Sequence, residues 1–192
     1  MEAHSRSVER SRSVERTCEV FRKAYGDLVL EKGEDKITVM DIIKRTGLSR
    51  SAFYLHYADI IALRKDAKEN FEEKFDRCID EANTGAPENA PAVVLNNISK
   101  FVMDMDAVCK WMIKTPYYAI SLEKMKQVFT KSVLLDLKRN SVNALLLPYL
   151  LAGSMAELYT KYLEGELECT LLQINDKLIS LYVEEMQKLK AE

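Results

Sequence analysis

Hydroxyl-bearing and cationic side chains concentrate in one short segment of the chain, residues 37–57. At helical spacing Ser49, Arg50, Ser51 and Tyr54 can all project outward from one short helix. The N-terminal side chains of such a helix can reach base edges in the major groove of DNA. Hydroxyl groups and cations can bind phosphate. The segment therefore predicts a contact with nucleic acid.

Two short helices joined by a glycine turn would position these side chains. Thr38 is a good N-cap residue with Asp41 three residues later, and Ser49 caps the helix that follows. Gly47 lies between the two helices, where a helix-turn-helix often has its turn. Apolar residues occupy the positions where the two helices would touch: Ile42, Ile43, Leu48 and Phe53. The pattern predicts a helix-turn-helix, and the alternative is a small helical subdomain that binds nothing.

Helical periodicity continues through the rest of the chain. An amphipathic helix is predicted before the motif, with apolar residues at three- and four-residue steps from Val14 to Leu28. A charged helix is predicted from Asp59 to about Ala82, followed by a linker at 83–91 that contains two prolines. Further helices are expected near residues 91–105, 106–115, 117–138, 140–165 and 170–190. The predicted fold class is all-α.

Composition restricts the classes of function. Residues 1–68 carry three more basic than acidic side chains and the remainder five more acidic ones, which gives the net charge of −2 and suits a modular DNA-binding protein. Four scattered cysteines and two histidines show no metal-ligand spacing, and no nucleophile is paired with a base. We therefore expect no enzyme, metal or cofactor. No apolar run has membrane-spanning length and the N-terminus is polar, so a cytoplasmic protein is expected.

Three short motifs carry a resemblance to a known family. They are Thr38-Val39-x-Asp41-Ile42, Gly47-Leu48-Ser49 and Phe53-Tyr54-x-His56-Tyr57. Together they resemble the DNA-binding domain of the TetR (tetracycline-repressor-like) family of bacterial regulators, over roughly residues 12–68. The resemblance implies a three-helix DNA-binding domain at residues 1–68, which includes the start of a long connecting helix. It also implies a ligand-sensing and dimerisation bundle at residues 69–192.

The same resemblance implies roles for individual residues of the motif. The counterparts of Thr38, Tyr54 and Tyr57 hold the phosphate backbone, and those of Ser49, Arg50 and Ser51 lie at the groove-facing start of the recognition helix. His56 has two open roles, a position near phosphate or a capping and packing role.

This chain departs from the family pattern at two positions. Ile60 replaces a common lysine, and Ser51 replaces a small residue or glycine. Loss of the lysine removes one phosphate contact and makes binding slightly less dependent on salt. Lys65 or Arg64, one turn along, could supply the missing cation.

Methionine and aromatic side chains are frequent in the expected second domain. They can line an adaptable pocket for an apolar or aromatic ligand, or they can be ordinary core. The resemblance favours the pocket. Its candidate residues are Phe101, Met105, Trp111, Met112, Tyr117, Tyr118, Met155 and Tyr159.

The last two predicted helices carry more apolar side chains than two helices can hide within one subunit. The resemblance implies that they pair with their copies across a two-fold axis in a homodimer. The candidate interface residues are Leu146, Leu150, Leu158, Leu178, Leu181, Tyr182 and Met186.

The expected function is that of a ligand-responsive, sequence-specific DNA-binding regulator, a repressor that binds a palindromic operator as a dimer. Its partners would be double-stranded DNA with an inverted repeat, a second copy of the chain and a small apolar or aromatic ligand, with no membrane. The alternative is a helical protein on the same scaffold that binds small molecules and has weak or lost operator binding.

Overall fold

The computed structural model describes residues 2–83, 90–137 and 142–191. Within these ranges the chain forms α-helices and one short 3₁₀ turn, with no strand, which confirms the all-α prediction. The helices are α1 Glu2–Lys32, α2 Val39–Thr46, α3 Arg50–His56, α4 Ile60–Asn83, α5 Ala90–Asp104, α6 Asp106–Met112, α7 Tyr117–Asp136, α8 Val142–Glu164 and α9 Leu171–Ala191.

Two boundaries bear on the sequence-based expectations. Helix α1 begins at Glu2, well before Val14, because the polar residues ahead of Val14 include no glycine or proline that would end a helix. The predicted linker at 83–91 lies largely outside the described residues. None of the described helices is long and apolar enough to cross a membrane.

The chain divides into two compact units, Met1–Glu72 and Glu73–Glu192, and the division falls within α4. In the first unit α2 packs against both α1 and α3. The fully buried side chains of this unit include Phe21 of α1, Ile42 of α2 and Phe53 of α3. Each of the three helices thus contributes a fully buried side chain, and the rings of Phe21 and Phe53 lie 5.4 Å apart between centroids.

The second unit is a helical bundle in which α7 packs on α5 and α8, and α9 packs on α5 and α8. Its interior includes a polar cluster. The Tyr159 hydroxyl lies 2.6 Å from Ser99 Oγ and 2.7 Å from Asn175 Oδ1. The Asn175 amide donates to Ser99 Oγ at 2.6 Å and to the Leu95 carbonyl at 3.3 Å. These bonds compensate the burial of the polar groups and tie α5, α8 and α9 together.

Candidate nucleic-acid interface

The turn between α2 and α3 is built on Gly47. Its φ is 69°, in the left-handed region that favours glycine, and its N–H donates to the Ile43 carbonyl at 2.9 Å. After the turn, Ser49 caps α3 by accepting the N–H of Ala52 at 3.0 Å. The backbone thus forms the helix-turn-helix that the sequence predicted.

The first helix of the motif begins with a complete capping box. The Thr38 hydroxyl oxygen accepts the Asp41 N–H at 3.3 Å, and the Asp41 carboxylate accepts the Thr38 N–H at 3.0 Å and the Thr38 hydroxyl at 2.8 Å. Lys32 Nζ binds the other carboxylate oxygen. Hydrogen bonds from Lys32 and then Thr38 lower the pKa of Asp41 to about 2. Thr38 is exposed, but it can reach a phosphate only by exchanging its bond to Asp41.

The outward side of α3 carries Arg50, Ser51, Tyr54 and Leu55, all of them exposed. The Arg50 guanidinium lies 5.6 Å from the centroid of the Tyr54 ring, and its Nη2 lies 3.5 Å from the Tyr54 hydroxyl. This cation–π contact holds the arginine along the helix surface without burying it. The structure thus presents three of the predicted residues together on one face.

Leu55 also lies on this face, although it is not among the predicted DNA-binding residues. Its exposed fraction is 83%, the highest among the large apolar side chains that the structure describes. Helical spacing could have found it, because Leu55 follows Ser51 by four residues and so lies on the same side of a helix.

Tyr57 was predicted to hold the phosphate backbone, and in the structure it lies inside the first unit. It is 6% exposed, and its ring packs 6.0 Å from Phe21 and 5.6 Å from Phe53 between ring centroids. Its hydroxyl donates to Asp66 Oδ2 at 2.6 Å, and burial raises its pKa. In this structure Tyr57 therefore joins the end of α3 to α4, and it would have to exchange its bond to Asp66 to contact a phosphate.

His56 packs against α1 in this structure. Its Nδ1 lies 3.5 Å from Cys18 Sγ, and its ring centroid lies 6.0 Å from that of Phe21. The side chain is half-buried, so the packing role is the one observed.

The two cations that could replace the lysine missing at Ile60 differ in their surroundings. Arg64 is engaged within the unit, where it donates to the Tyr25 hydroxyl at 3.0 Å and to the Glu34 carbonyl at 3.1 Å. Lys65 is exposed, and Glu69 lies 3.6 Å from its ammonium group. Lys65 is therefore the better placed of the two to meet a phosphate.

An ionic network beneath the motif links α1 and α4. Arg22 donates to Asp66 through Nε at 2.7 Å and through Nη2 at 3.3 Å, and to Glu15 at 2.7 Å. Burial acts to lower the pKa of Arg22, but its hydrogen bonds to Asp66 and Glu15 raise it overall. Asp66 of α4 thus accepts hydrogen bonds from Arg22 of α1 and from Tyr57, the residue that follows α3.

Replacing Asp66 with asparagine is expected to lower the free energy of unfolding by about 1–3 kcal/mol, because Arg22 then loses its half-buried ionic partner. Urea unfolding of the full chain measures this change. Asp35→Asn is the matched control: the Asp35 side chain is 98% exposed and 3.8 Å from Arg64, so a change below about 0.5 kcal/mol is expected. Equal losses in the two variants would contradict a special role for Asp66.

The predicted ligand-binding residues of the second unit are largely interior. Five of them are buried, namely Phe101, Trp111, Met112, Met155 and Tyr159. Phe101 lines a surface cavity of about 240 Å³, which none of the other seven candidates lines. The Tyr118 hydroxyl bonds to Thr160 Oγ1 at 2.5 Å, and Met105 and Tyr117 are half-buried. The described cavities thus do not gather these residues around one site, and the buried ones serve as core.

The predicted interface residues of α8 and α9 fall into three groups. Leu146 and Leu150 are exposed, and the apolar side chains of Leu145 and Tyr149 are exposed beside them on α8. Half-buried positions follow at Leu158, Leu181, Tyr182 and Met186. Leu178 is 1% exposed and lies in the core of its own unit, so the single chain does not present it on the surface.

The described residues include no group of three or more His, Cys, Asp or Glu side chains that could hold a metal ion. The four cysteines are free thiols, and Cys78 and Cys109 are buried.

Comparison with known proteins gives matches among solved structures. No family model matches the chain, and no curated protein matches it in sequence. A transcriptional regulator of the TetR/AcrR family from Aquifex aeolicus VF5 is 22% identical with a TM-score of 0.57, over 84% of this chain and 95% of that one. A TetR transcriptional regulator from Streptococcus agalactiae 2603V is 20% identical with a TM-score of 0.53, over 93% and 97%.

A third structure, the dihydroxyacetone kinase operon activator DhaS, is 15% identical with a TM-score of 0.55, over 89% of this chain and 96% of that one. The similarity to all three extends over most of each chain. The sequence resemblance to the TetR family and the observed helix order therefore agree, and the chain has the fold of TetR/AcrR-family transcriptional regulators.

Proposed function

We propose that this protein is a sequence-specific DNA-binding transcriptional regulator that acts as a homodimer on an inverted repeat. The observation that carries the proposal is the outward side of α3. There an arginine, a serine and a tyrosine are exposed together on a helix held rigidly by its buried side. A recognition helix needs this arrangement, because its side chains must reach base edges while the helix keeps its orientation.

The proposed contacts divide into two kinds. Arg50 and Ser51 meet base edges in the major groove, since they lie in the first turn of α3. Ser49, the N-cap of α3, lies beside them at the groove-facing start of the helix. Phosphate contacts come from Tyr54 on the same helix and from Lys65 on α4, with Thr38 joining them if it exchanges its bond to Asp41. Tyr57 and His56 hold α3 in place from inside the unit.

A dimer is supported by the apolar surface of α8. The side chains of Leu146 and Leu150 are exposed in the single chain, and a second copy would remove them from water. A symmetric dimer presents two copies of α3, which requires an inverted repeat with half-sites about one helical turn, roughly 34 Å, apart.

We also propose that the second unit binds an apolar or aromatic effector that releases the DNA. Repression is the proposed direction of control, because a bound dimer blocks access to its site. The name of one structural neighbour, an operon activator, shows that proteins of this fold can also activate. An effector works only if it prefers the conformation with low DNA affinity, since equal binding to both conformations shifts nothing.

Selection from a pool of random duplexes is the experiment that tests the proposal. The purified full chain is expected to enrich an inverted repeat and to bind it at least about 10³-fold more tightly than the unselected pool, by fluorescence anisotropy at about 100 mM salt. Candidate effectors are then added to the same assay, where an effector lowers the affinity for the selected duplex. Binding without sequence preference would reject the proposal and favour the small-molecule-binding alternative.

A further inference from the structure

The side of α3 opposite its buried side includes one strongly apolar side chain. At 3.6 residues per turn, Leu55 lies opposite the midpoint between Phe53 and Tyr57, and Ser51 lies about 40° around the helix from it. Phe53 and Tyr57 point the other way and are buried. Leu55 therefore belongs to the same surface that the proposed function assigns to base reading.

We propose that Leu55 is a specificity-determining residue that contacts the C5-methyl group of a thymine. This inference rests on the proposed function and names one base that the site selects. The major-groove edges of guanine, cytosine and adenine present hydrogen-bond donors and acceptors, which a leucine leaves unsatisfied. Thymine alone adds an apolar methyl group, and contact with this group removes apolar surface of both partners from water.

The position of Leu55 also sets the spacing of the bases that α3 reads. It follows Arg50 by five residues, which is about 7.5 Å along the helix axis. Successive base pairs are about 3.4 Å apart, so the two side chains reach positions about two base pairs apart when the helix follows the groove. Arginine pairs best with guanine through O6 and N7. Each half-site is thus expected to contain a guanine and a thymine at this separation.

Removal of single methyl groups from the DNA tests this inference. In the duplex obtained by selection, each thymine is replaced in turn by deoxyuridine, which lacks only the C5-methyl group. Each half-site is expected to contain one thymine whose replacement matters. Replacing it in one half-site is expected to lower the affinity of the natural chain about fourfold, the equivalent of one buried methylene, and replacing it in both half-sites about 15-fold. The Leu55→Ala variant is expected to bind the thymine and deoxyuridine duplexes equally.

Val20→Ala is the matched control, because Val20 is also an exposed apolar residue of the first unit but lies on α1. It is expected to keep the full sensitivity to deoxyuridine. Circular dichroism checks that each variant remains helical. The inference is overturned if Leu55→Ala keeps the sensitivity, or if no thymine shows it in the natural chain. Failure to select any duplex would instead count against the proposed function itself.

Discussion

Replacing Arg50 with alanine is expected to lower the affinity for the selected duplex by at least about 30-fold, because a symmetric dimer loses one contact in each half-site, while the affinity for the unselected pool falls by no more than about threefold. A bidentate contact between arginine and guanine contributes about 1–3 kcal/mol of discrimination. Arg50 is exposed and its observed contacts are with Tyr54 on the same helix, so its loss leaves the fold intact. Anisotropy titrations of both duplexes at one salt concentration measure the difference.

Arg77→Ala is the control for the Arg50 experiment. Arg77 is an exposed arginine of the second unit, so this variant loses the same charge without touching α3. It is expected to bind both duplexes like the natural chain. A uniform loss of affinity in Arg50→Ala, equal for selected and unselected DNA, would show that Arg50 contacts phosphate and does not read a base.

The helix-turn-helix could be predicted because its determinants are local. Gly47 marks the turn, Thr38 and Asp41 mark the start of α2, and Ser49 marks the start of α3. Each of these residues acts on backbone groups within four positions of itself. A single sequence therefore contains all the information needed to place these elements.

The role of Tyr57 could not be predicted in the same way. A tyrosine hydroxyl can bind phosphate or carboxylate equally well, and only the packing of the ring decides which one it meets. Here the hydroxyl donates to Asp66, and Asp66 also accepts a hydrogen bond from Arg22, which is 44 positions away in the chain. No local pattern reports a contact over such a separation.

In the second unit, the sequence pattern likewise did not distinguish exposed from buried apolar residues. Leu150 and Leu178 both fit an apolar helical face, yet one is exposed and the other is core. Helix α8 contains leucines at five of the seven positions in 145–151. Apolar side chains therefore lie on every side of the helix, and the sequence does not show which side is buried. Helical periodicity thus predicted helices in this region, but it did not separate core, pocket and interface.

A charged residue among the exposed leucines of α8 is expected to have a large effect on dimerisation and on DNA affinity. Leu150→Glu is expected to convert the dimer to a monomer and to lower the affinity for the inverted repeat by more than about 100-fold. Leu150 is 66% exposed within its own chain, so a carboxylate there costs the folded monomer little. In a dimer interface the same carboxylate would lose its water without gaining a partner. A monomer then binds only one half-site and loses the second set of contacts.

Met103→Glu is the matched control, because Met103 is an exposed apolar residue of the same unit but lies on α5. It is expected to remain a dimer in sedimentation equilibrium and to bind the inverted repeat normally. If Leu150→Glu stays a soluble dimer, the interface lies on another surface. If it becomes a monomer that still binds the inverted repeat with unchanged affinity, recognition does not depend on symmetry, and the two copies of α3 do not act together.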